Sequence, residues 1–242
     1  MKSARRHPKA ALVFLIDVDN TLLDDGRVLA DLRRHLREEV GPAGDVQYWQ
    51  ILQRLHRSLG YADYLGALQQ YRQSYPHDPH VLTLSSFLIN YSFSKCLFPH
   101  ALRLIKRCRR LGTVVILSDG DVVFQPHKIG QSGLAAAVDD HVLIYVHKED
   151  QLKDIEFCYP ADHYVVIDDN LRILKSIKKI WRNKVTTIWL TASRNGRGSR
   201  GNGVRPEPDM TIRSIRDLRK KDLRAIKQLH KHATRKSEES SI

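Results

Sequence analysis

The chain has no long run of apolar residues. Among its 242 residues, no apolar stretch approaches the ~18 residues that a helix needs to cross a bilayer, so we expect no membrane association. The basic N-terminus followed by the apolar residues 10–16 has the order of a signal peptide. That apolar run is short, however, and ends at Asp17 without a small-residue cleavage site. We therefore interpret the N-terminus as a tail that leads into a first strand.

Cysteine is also scarce. Cys96, Cys108 and Cys158 are scattered and form no C-x-x-C pair. This pattern argues against a disulfide framework and against a zinc site built from thiolates. It is typical of a protein in a reducing compartment, so we expect a cytoplasmic location.

Aromatic residues are absent after Trp189, although the same region is strongly basic. The formal net charge is +13, and residues 194–242 alone carry 14 Lys or Arg against 6 Asp or Glu. Such an excess of positive charge can attract an anionic partner such as nucleic acid. Without aromatic side chains, the region offers no platform for stacking single-stranded bases. We interpret it as a solvated basic helix and tail, with nucleic-acid binding as the alternative.

What the sequence does contain is an alternation of short apolar runs with segments of helical spacing. Five runs are typical of strands: residues 11–16, 113–117, 142–146, 164–167 and 185–190. Apolar residues recur at helical intervals in 99–111 and in 171–180. Strands that alternate with helices predict an α/β fold with a parallel sheet and right-handed crossovers.

One segment departs from this alternation. Residues 24–96 contain no strand-like run, and their leucines and tyrosines recur at helical intervals. We predict that this segment is an all-helical cap inserted between the first two strands, and that its aromatic residues pack inside it. Residues 1–23 and 97–233 then form a discontinuous core, and residues 234–242 a disordered tail.

Two further predictions concern the C-terminal part of the core. Residues 194–203 are rich in glycine and arginine and are predicted to form a mobile loop. Residues 209–231 are predicted to be helical, with four apolar residues roughly on one face: Ile215, Leu218, Leu223 and Ile226.

Polar residues follow four of the predicted strands in turn. In chain order they are Asp17 and Asp19, Ser118 and Asp119, Lys148, and Asp168 and Asp169. Ligands of an open parallel sheet bind beyond the carboxyl ends of its strands, so these side chains should meet in one site. Unpaired charges are costly in a core, so two carboxylates at a buried strand end favour a chemical role.

Each of these assignments has a structural alternative. The pair Asp17 and Asp19 could cap the next helix, and Ser118 could cap a helix as well. Lys128 and Lys153 compete with Lys148, which we prefer because it directly follows a strand-like run.

Taken together, these residues resemble the four motifs of the haloacid dehalogenase-like (HAD) superfamily. The motifs in this chain read Asp17-Val-Asp19-Asn-Thr21, Ser118, Lys148 and Asp168-Asp169. The resemblance implies a Rossmann-like core with a helical cap that closes over the substrate. One departure is Glu149, which stands where the family often has a proline.

The resemblance also implies roles for these residues. Asp17 would be the nucleophile that forms an aspartyl-phosphate, and Asp19 the general acid–base residue. The implied ligands of a Mg²⁺ ion are Asp17, the backbone carbonyl of Asp19, Asp168 and Asp169. The implied phosphate-binding residues are Ser118, Asp119 and Lys148.

Asp19 also discriminates within the family. Dehalogenase members lack an acid–base aspartate at this position, because a departing halide needs no proton. We therefore expect a Mg²⁺-dependent phosphatase acting on a small phosphorylated metabolite. The alternatives are a phosphotransferase or mutase on the same scaffold, and a non-catalytic nucleic-acid-binding protein that uses the basic C-terminus.

Overall fold

A parallel sheet lies at the centre of the computed structural model, which describes residues 6–191, 206–219 and 221–226. Its strands are β1 (Ala10–Ile16), β2 (Thr113–Asp119), β3 (Val142–Tyr145), β4 (Ala161–Asp168), β5 (Val185–Leu190) and β6 (Met210–Ile212). They lie side by side in the order β3-β2-β1-β4-β5-β6, and every neighbouring pair is parallel. The predicted α/β fold is confirmed.

Eight helices, in addition to the helical residues 221–226, accompany these strands in the described residues. They are α1 (Asp25–Leu59), α2 (Tyr64–Ser74), α3 (His80–Asn90), α4 (Ala101–Arg109), α5 (Phe124–Gln131), α6 (Leu134–Ala137), α7 (Leu152–Cys158) and α8 (Leu171–Trp181). Three short 3₁₀ turns span Phe93–Cys96, Lys148–Asp150 and Arg182–Lys184. None of the helices described is both long enough and apolar enough to cross a membrane.

The strand β1 lies in the middle of the sheet, and its sequence explains why. Phe14 and Ile16 belong to the hydrophobic cluster on one face of the sheet, while Val13 and Leu15 belong to the cluster on the other. Side chains alternate between faces along a strand, so only an unbroken apolar run can be buried on both. The first strand therefore ends where the apolar run ends, immediately before Asp17.

The helical insertion after the first strand is present. Helices α1 to α3 lie between β1 and β2, and Tyr48, Tyr64 and Tyr71 are buried among them. The long helix α1 is kinked at Gly41, which has a φ of 72° that favours glycine, and Pro42 follows it. Placing the limits of the cap at residues 24 and 96 remains a prediction.

The prediction of a helix that starts at residue 209 is wrong. Residues 210–212 form the edge strand β6. The Asp209 carboxylate accepts hydrogen bonds from the backbone and hydroxyl of Thr187 and lies 2.7 Å from the Nζ of Lys178, which fixes the chain against β5. Among the residues described after β6, only 221–226 are helical.

The apolar residues of this segment are nevertheless buried as the sequence suggested: Ile215, Leu218, Leu223 and Ile226. The predicted loop 194–203 and the predicted tail 234–242 lie outside the described residues. Cys96, Cys108 and Cys158 are buried free thiols.

Candidate active site

The seven residues predicted for the site line one cleft of about 300 Å³ at the carboxyl edge of the sheet. They are Asp17, Asp19, Ser118, Asp119, Lys148, Asp168 and Asp169. The parallel register explains the convergence, since β1, β2 and β4 are neighbours and all end at this edge. The backbone N–H of Asp17 donates to Ile167 O at 3.0 Å and so fixes the start of the loop beside β4.

Three buried carboxylates form a cluster at the base of the cleft. Oxygen atoms of Asp17, Asp168 and Asp169 lie within 4.8 Å of one another. The backbone N–H of Asn170 donates to Asp168 Oδ1 at 2.7 Å, which fixes that side chain. Carboxylate oxygens grouped in this way are the donors that Mg²⁺ prefers, so the residues present fit a magnesium ion.

Lys148 is the lysine that contacts this cluster. Its side chain is 2% exposed, and its Nζ lies 2.6 Å from Asp17 Oδ1 and 2.8 Å from Asp168 Oδ2. Burial alone would lower the pKa of the Lys148 ammonium, but Asp168 and Asp17 raise it above its ordinary value. The side chain is therefore an ammonium. The competing Lys153 is exposed.

The pKa of the Asp17 carboxyl is raised by its surroundings. Burial raises the pKa of Asp17 well above its usual range, the Lys148 ammonium opposes this, and Asp168 and Asp169 raise the pKa further. A divalent cation among the three carboxylates would favour the ionised form of Asp17, because opposite charge stabilises a carboxylate.

Ser118 and Asp119, at the end of β2, are held by neighbouring groups. The hydroxyl of Ser118 accepts a hydrogen bond from Gln125 Nε2 at 2.8 Å. Asp119 Oδ1 accepts from the backbone N–H of Lys148 at 2.9 Å, and burial raises the pKa of Asp119 to about 6. These contacts connect the end of β2 to α5 and to residues 146–150, the lysine loop, which follows β3 and carries Lys148.

The helix caps that the sequence left as alternatives are made by other residues. The N-terminus of α1 is capped by Asp24, whose side chain accepts from the backbone N–H of Arg27. The N-cap position of α5 is Val123, and the Oδ1 of Asp121 accepts from the backbone N–H of Phe124 at 2.6 Å. Asp17, Asp19 and Ser118 are thus not required as caps of these two helices.

Two residues of this region, Gln125 and Asp25, are not among the site residues predicted from the sequence, and a third, Lys128, has a different position from the one considered. Lys128, considered from the sequence only as a competitor for the role of Lys148, contacts Asp19 and Asp25, and Gln125 contacts Asp19. Gln125 and Lys128 are three residues apart, which places them on one face of α5. That spacing, in the first helix after the Ser118 strand, is the signal that could have revealed them.

The insertion forms the outer wall of the cleft through His56, Gly60 and Tyr61. Gly60 ends α1 with a φ of 85°, and a Cβ added there would come within 2.5 Å of His147 Cε1. The end of α1 therefore rests directly on the lysine loop of the core. Of the cap aromatics, Tyr61 lines the cleft and Tyr75 is exposed, whereas Tyr48, Tyr64 and Tyr71 are buried as predicted.

A solved structure shares both the fold and much of the sequence. It is a haloacid dehalogenase-like hydrolase from Burkholderia xenovorans, 48% identical, with a TM-score of 0.80 over 86% of this chain and 94% of that one. This chain belongs to the haloacid dehalogenase-like (HAD) superfamily. The resemblance seen in the motifs is confirmed, and the protein is a HAD-fold hydrolase with an aspartate-rich site.

More distant HAD structures show the same fold. The HAD-hydrolase YfnB from Bacillus subtilis, bound to magnesium, is 19% identical with a TM-score of 0.55, over 88% of this chain and 97% of that one. The L-2-haloacid dehalogenase from Xanthobacter autotrophicus is 16% identical with a TM-score of 0.56, over 86% and 96%. No protein-family profile and no curated protein sequence matches the chain.

Proposed function

We propose that this HAD hydrolase is a Mg²⁺-dependent phosphatase that cleaves a small phosphomonoester through an Asp17 aspartyl-phosphate. The observation that carries the proposal is the presence of two carboxylates with separate surroundings in one cleft. Asp17 belongs to the three-carboxylate cluster, whereas Asp19 is contacted by Lys128 and Gln125. This difference in surroundings supports a role in attack for Asp17 and a role in proton transfer for Asp19.

The reaction follows from these positions in two steps. The Asp17 carboxylate attacks phosphorus, the bond from phosphorus to the leaving oxygen breaks, and the Asp19 carboxyl gives its proton to that oxygen. The Asp19 carboxylate then takes a proton from a water that attacks the phosphorus of the aspartyl-phosphate. Inorganic phosphate leaves, the Asp17 carboxylate is restored, and Asp19 is again protonated.

The remaining site residues would stabilise the negative charge of the phosphoryl group. Lys148 and the hydroxyl of Ser118 would contact the equatorial oxygens of the phosphoryl group, where charge is spread in the transition state. Magnesium, held by Asp17, Asp168 and Asp169, would neutralise the repulsion between a carboxylate nucleophile and an anionic phosphate. The backbone N–H of Lys148, which donates to Asp119, would keep the lysine loop in register with β2.

Dehalogenation is the competing activity, because the distant relatives include haloacid dehalogenases. That reaction also uses an aspartate nucleophile, but halide leaves as a stable anion and requires no acid. A carboxylate at position 19 and a carboxylate cluster suited to Mg²⁺ both favour phosphomonoester chemistry. The size of the cleft, about 300 Å³ with cap residues as its outer wall, favours a small metabolite.

The test measures both activities in the same protein. We expect phosphate release from a panel of small phosphomonoesters in Mg²⁺, loss of that release in EDTA, and recovery when Mg²⁺ is restored. We expect no halide release from 2-haloalkanoates. Halide release without phosphate release, or phosphate release that EDTA leaves unchanged, would contradict the proposal.

A further inference from the structure

A second buried lysine lies beside the proposed acid–base residue. The Lys128 side chain is 2% exposed, and its Nζ lies 2.8 Å from Asp19 Oδ1 and 3.1 Å from Asp25 Oδ1. Gln125, one turn earlier on α5, donates from Nε2 to Asp19 Oδ2 at 2.9 Å. Both carboxylate oxygens of Asp19 are therefore held, one by a charged donor and one by a neutral donor.

The Lys128 ammonium also lies where the core meets the helical insertion. Asp25 is the first residue of α1, and Tyr64 is the first residue of α2. The ring centroids of Tyr64 and of Phe124, in α5, lie 6.0 Å and 5.8 Å from Nζ. A shift of the cap relative to the core would therefore change the contacts of the same ammonium that holds Asp19.

Lys128 is not suited to act as a nucleophile. Burial alone would lower the pKa of its ammonium, but Asp19 and Asp25 raise it above its ordinary value, so the nitrogen keeps its proton. A buried ammonium requires charged partners, and its partners here both line the cleft. Its contribution therefore lies in charge and position.

We propose that Lys128 is a positioning residue that holds Asp19 for proton transfer and links it to the cap through Asp25. This inference rests on the proposed phosphatase function. A general acid must lie within about 2.6–3.2 Å of the oxygen it protonates. The Asp19 side chain is 30% exposed, which leaves room for other rotamers, and Lys128 with Gln125 restricts it to one.

The test compares leaving groups. The double variant Lys128→Met/Asp25→Asn is measured against Asp25→Asn, so that the half-buried Asp25 is not left charged without its cation. For an alkyl phosphate, whose leaving oxygen must be protonated, we expect kcat/KM to fall about 10²-fold, the lower end of what acid–base help supplies. For p-nitrophenyl phosphate, whose leaving group departs without a proton, we expect little change.

Two comparisons separate positioning from a general loss of structure. Lys178→Met removes another lysine–aspartate pair, with Asp209, that does not line the cleft, and it should affect both substrates equally. In an Asp19→Asn background, the change at Lys128 should no longer distinguish the substrates, because the two residues act as one unit. Equal losses for both substrates in the Lys128 variant would overturn the inference.

A crystal structure of the double variant gives a readout that does not depend on turnover. We expect the Asp19 carboxylate to leave its position in that variant and to keep it in Asp25→Asn. An Asp19 side chain that stays in place without Lys128 would overturn the inference, whatever the activity. Failure of the proposed function is recognised separately, as absence of phosphate release from the wild-type protein.

Discussion

Asp17→Asn is expected to lower kcat for phosphate release by about 10⁴-fold or more, since a covalent mechanism loses its nucleophile. An amide keeps the size of the side chain but cannot form the aspartyl-phosphate. The measurement is steady-state phosphate release together with the intact mass of acid-quenched enzyme. The wild type should carry a phosphoryl adduct during turnover, and the variant should carry none.

The variant should remain folded. Burial, together with Asp168 and Asp169, raises the pKa of Asp17 although the Lys148 ammonium opposes this, so the folded protein disfavours a charge at this position. In the variant Lys148 keeps its ion pair with Asp168. A thermal melt without Mg²⁺ should show an Asp17→Asn transition no lower than that of the wild type. Activity of the variant within tenfold of the wild type, with a normal melt, would exclude Asp17 as the nucleophile.

Lys148→Met is expected to destabilise the protein by about 3–5 kcal/mol in EDTA, because it leaves buried carboxylates without the cation that contacts them. The Nζ of Lys148 lies within 2.8 Å of both Asp17 and Asp168. A divalent cation can replace part of this charge, so Mg²⁺ should restore much of the lost stability. The measurement is the free energy of unfolding in urea, with Mg²⁺ and with EDTA.

Lys153→Met is the matched control for this experiment. Lys153 lies five residues further along the chain and is exposed. Its substitution should change the free energy of unfolding by no more than about 0.5 kcal/mol in either condition. If Lys148→Met were as stable as the wild type in EDTA, the ion pairs would not have the structural weight assigned to them.

The strand ends could be predicted from the sequence because two strong local signals coincide there. The run before Asp17 is apolar at every position, so it is buried on both faces, and the first polar residue marks its end. The acidic pair Asp168 and Asp169 follows another such run. Parallel strands then bring these residues to one edge without further information.

Lys128 and Asp19 are 109 residues apart, and their contact could not be predicted in this way. It depends on how α5 is rotated about its axis against the loop that follows β1, which local periodicity does not determine. The edge strand β6 could not be predicted for another reason. It has only three residues, so its own sequence carries little strand signal. The strand is held in place by the contacts of Asp209 with Thr187 and Lys178, which are distant in the sequence.

The kink at Gly41 lets both ends of α1 line the cleft. A straight helix as long as α1 would extend about 50 Å, at 1.5 Å per residue. Yet Asp25 at its beginning and Gly60 just after its end line the same small cleft. The left-handed backbone of Gly41 makes this possible, because it divides α1 into two helical arms and turns the second arm back toward the cleft. Asp25 at the start of α1 contacts Lys128, and Gly60 after its end lies against His147, so a single helical element contacts the core on two sides of the cleft.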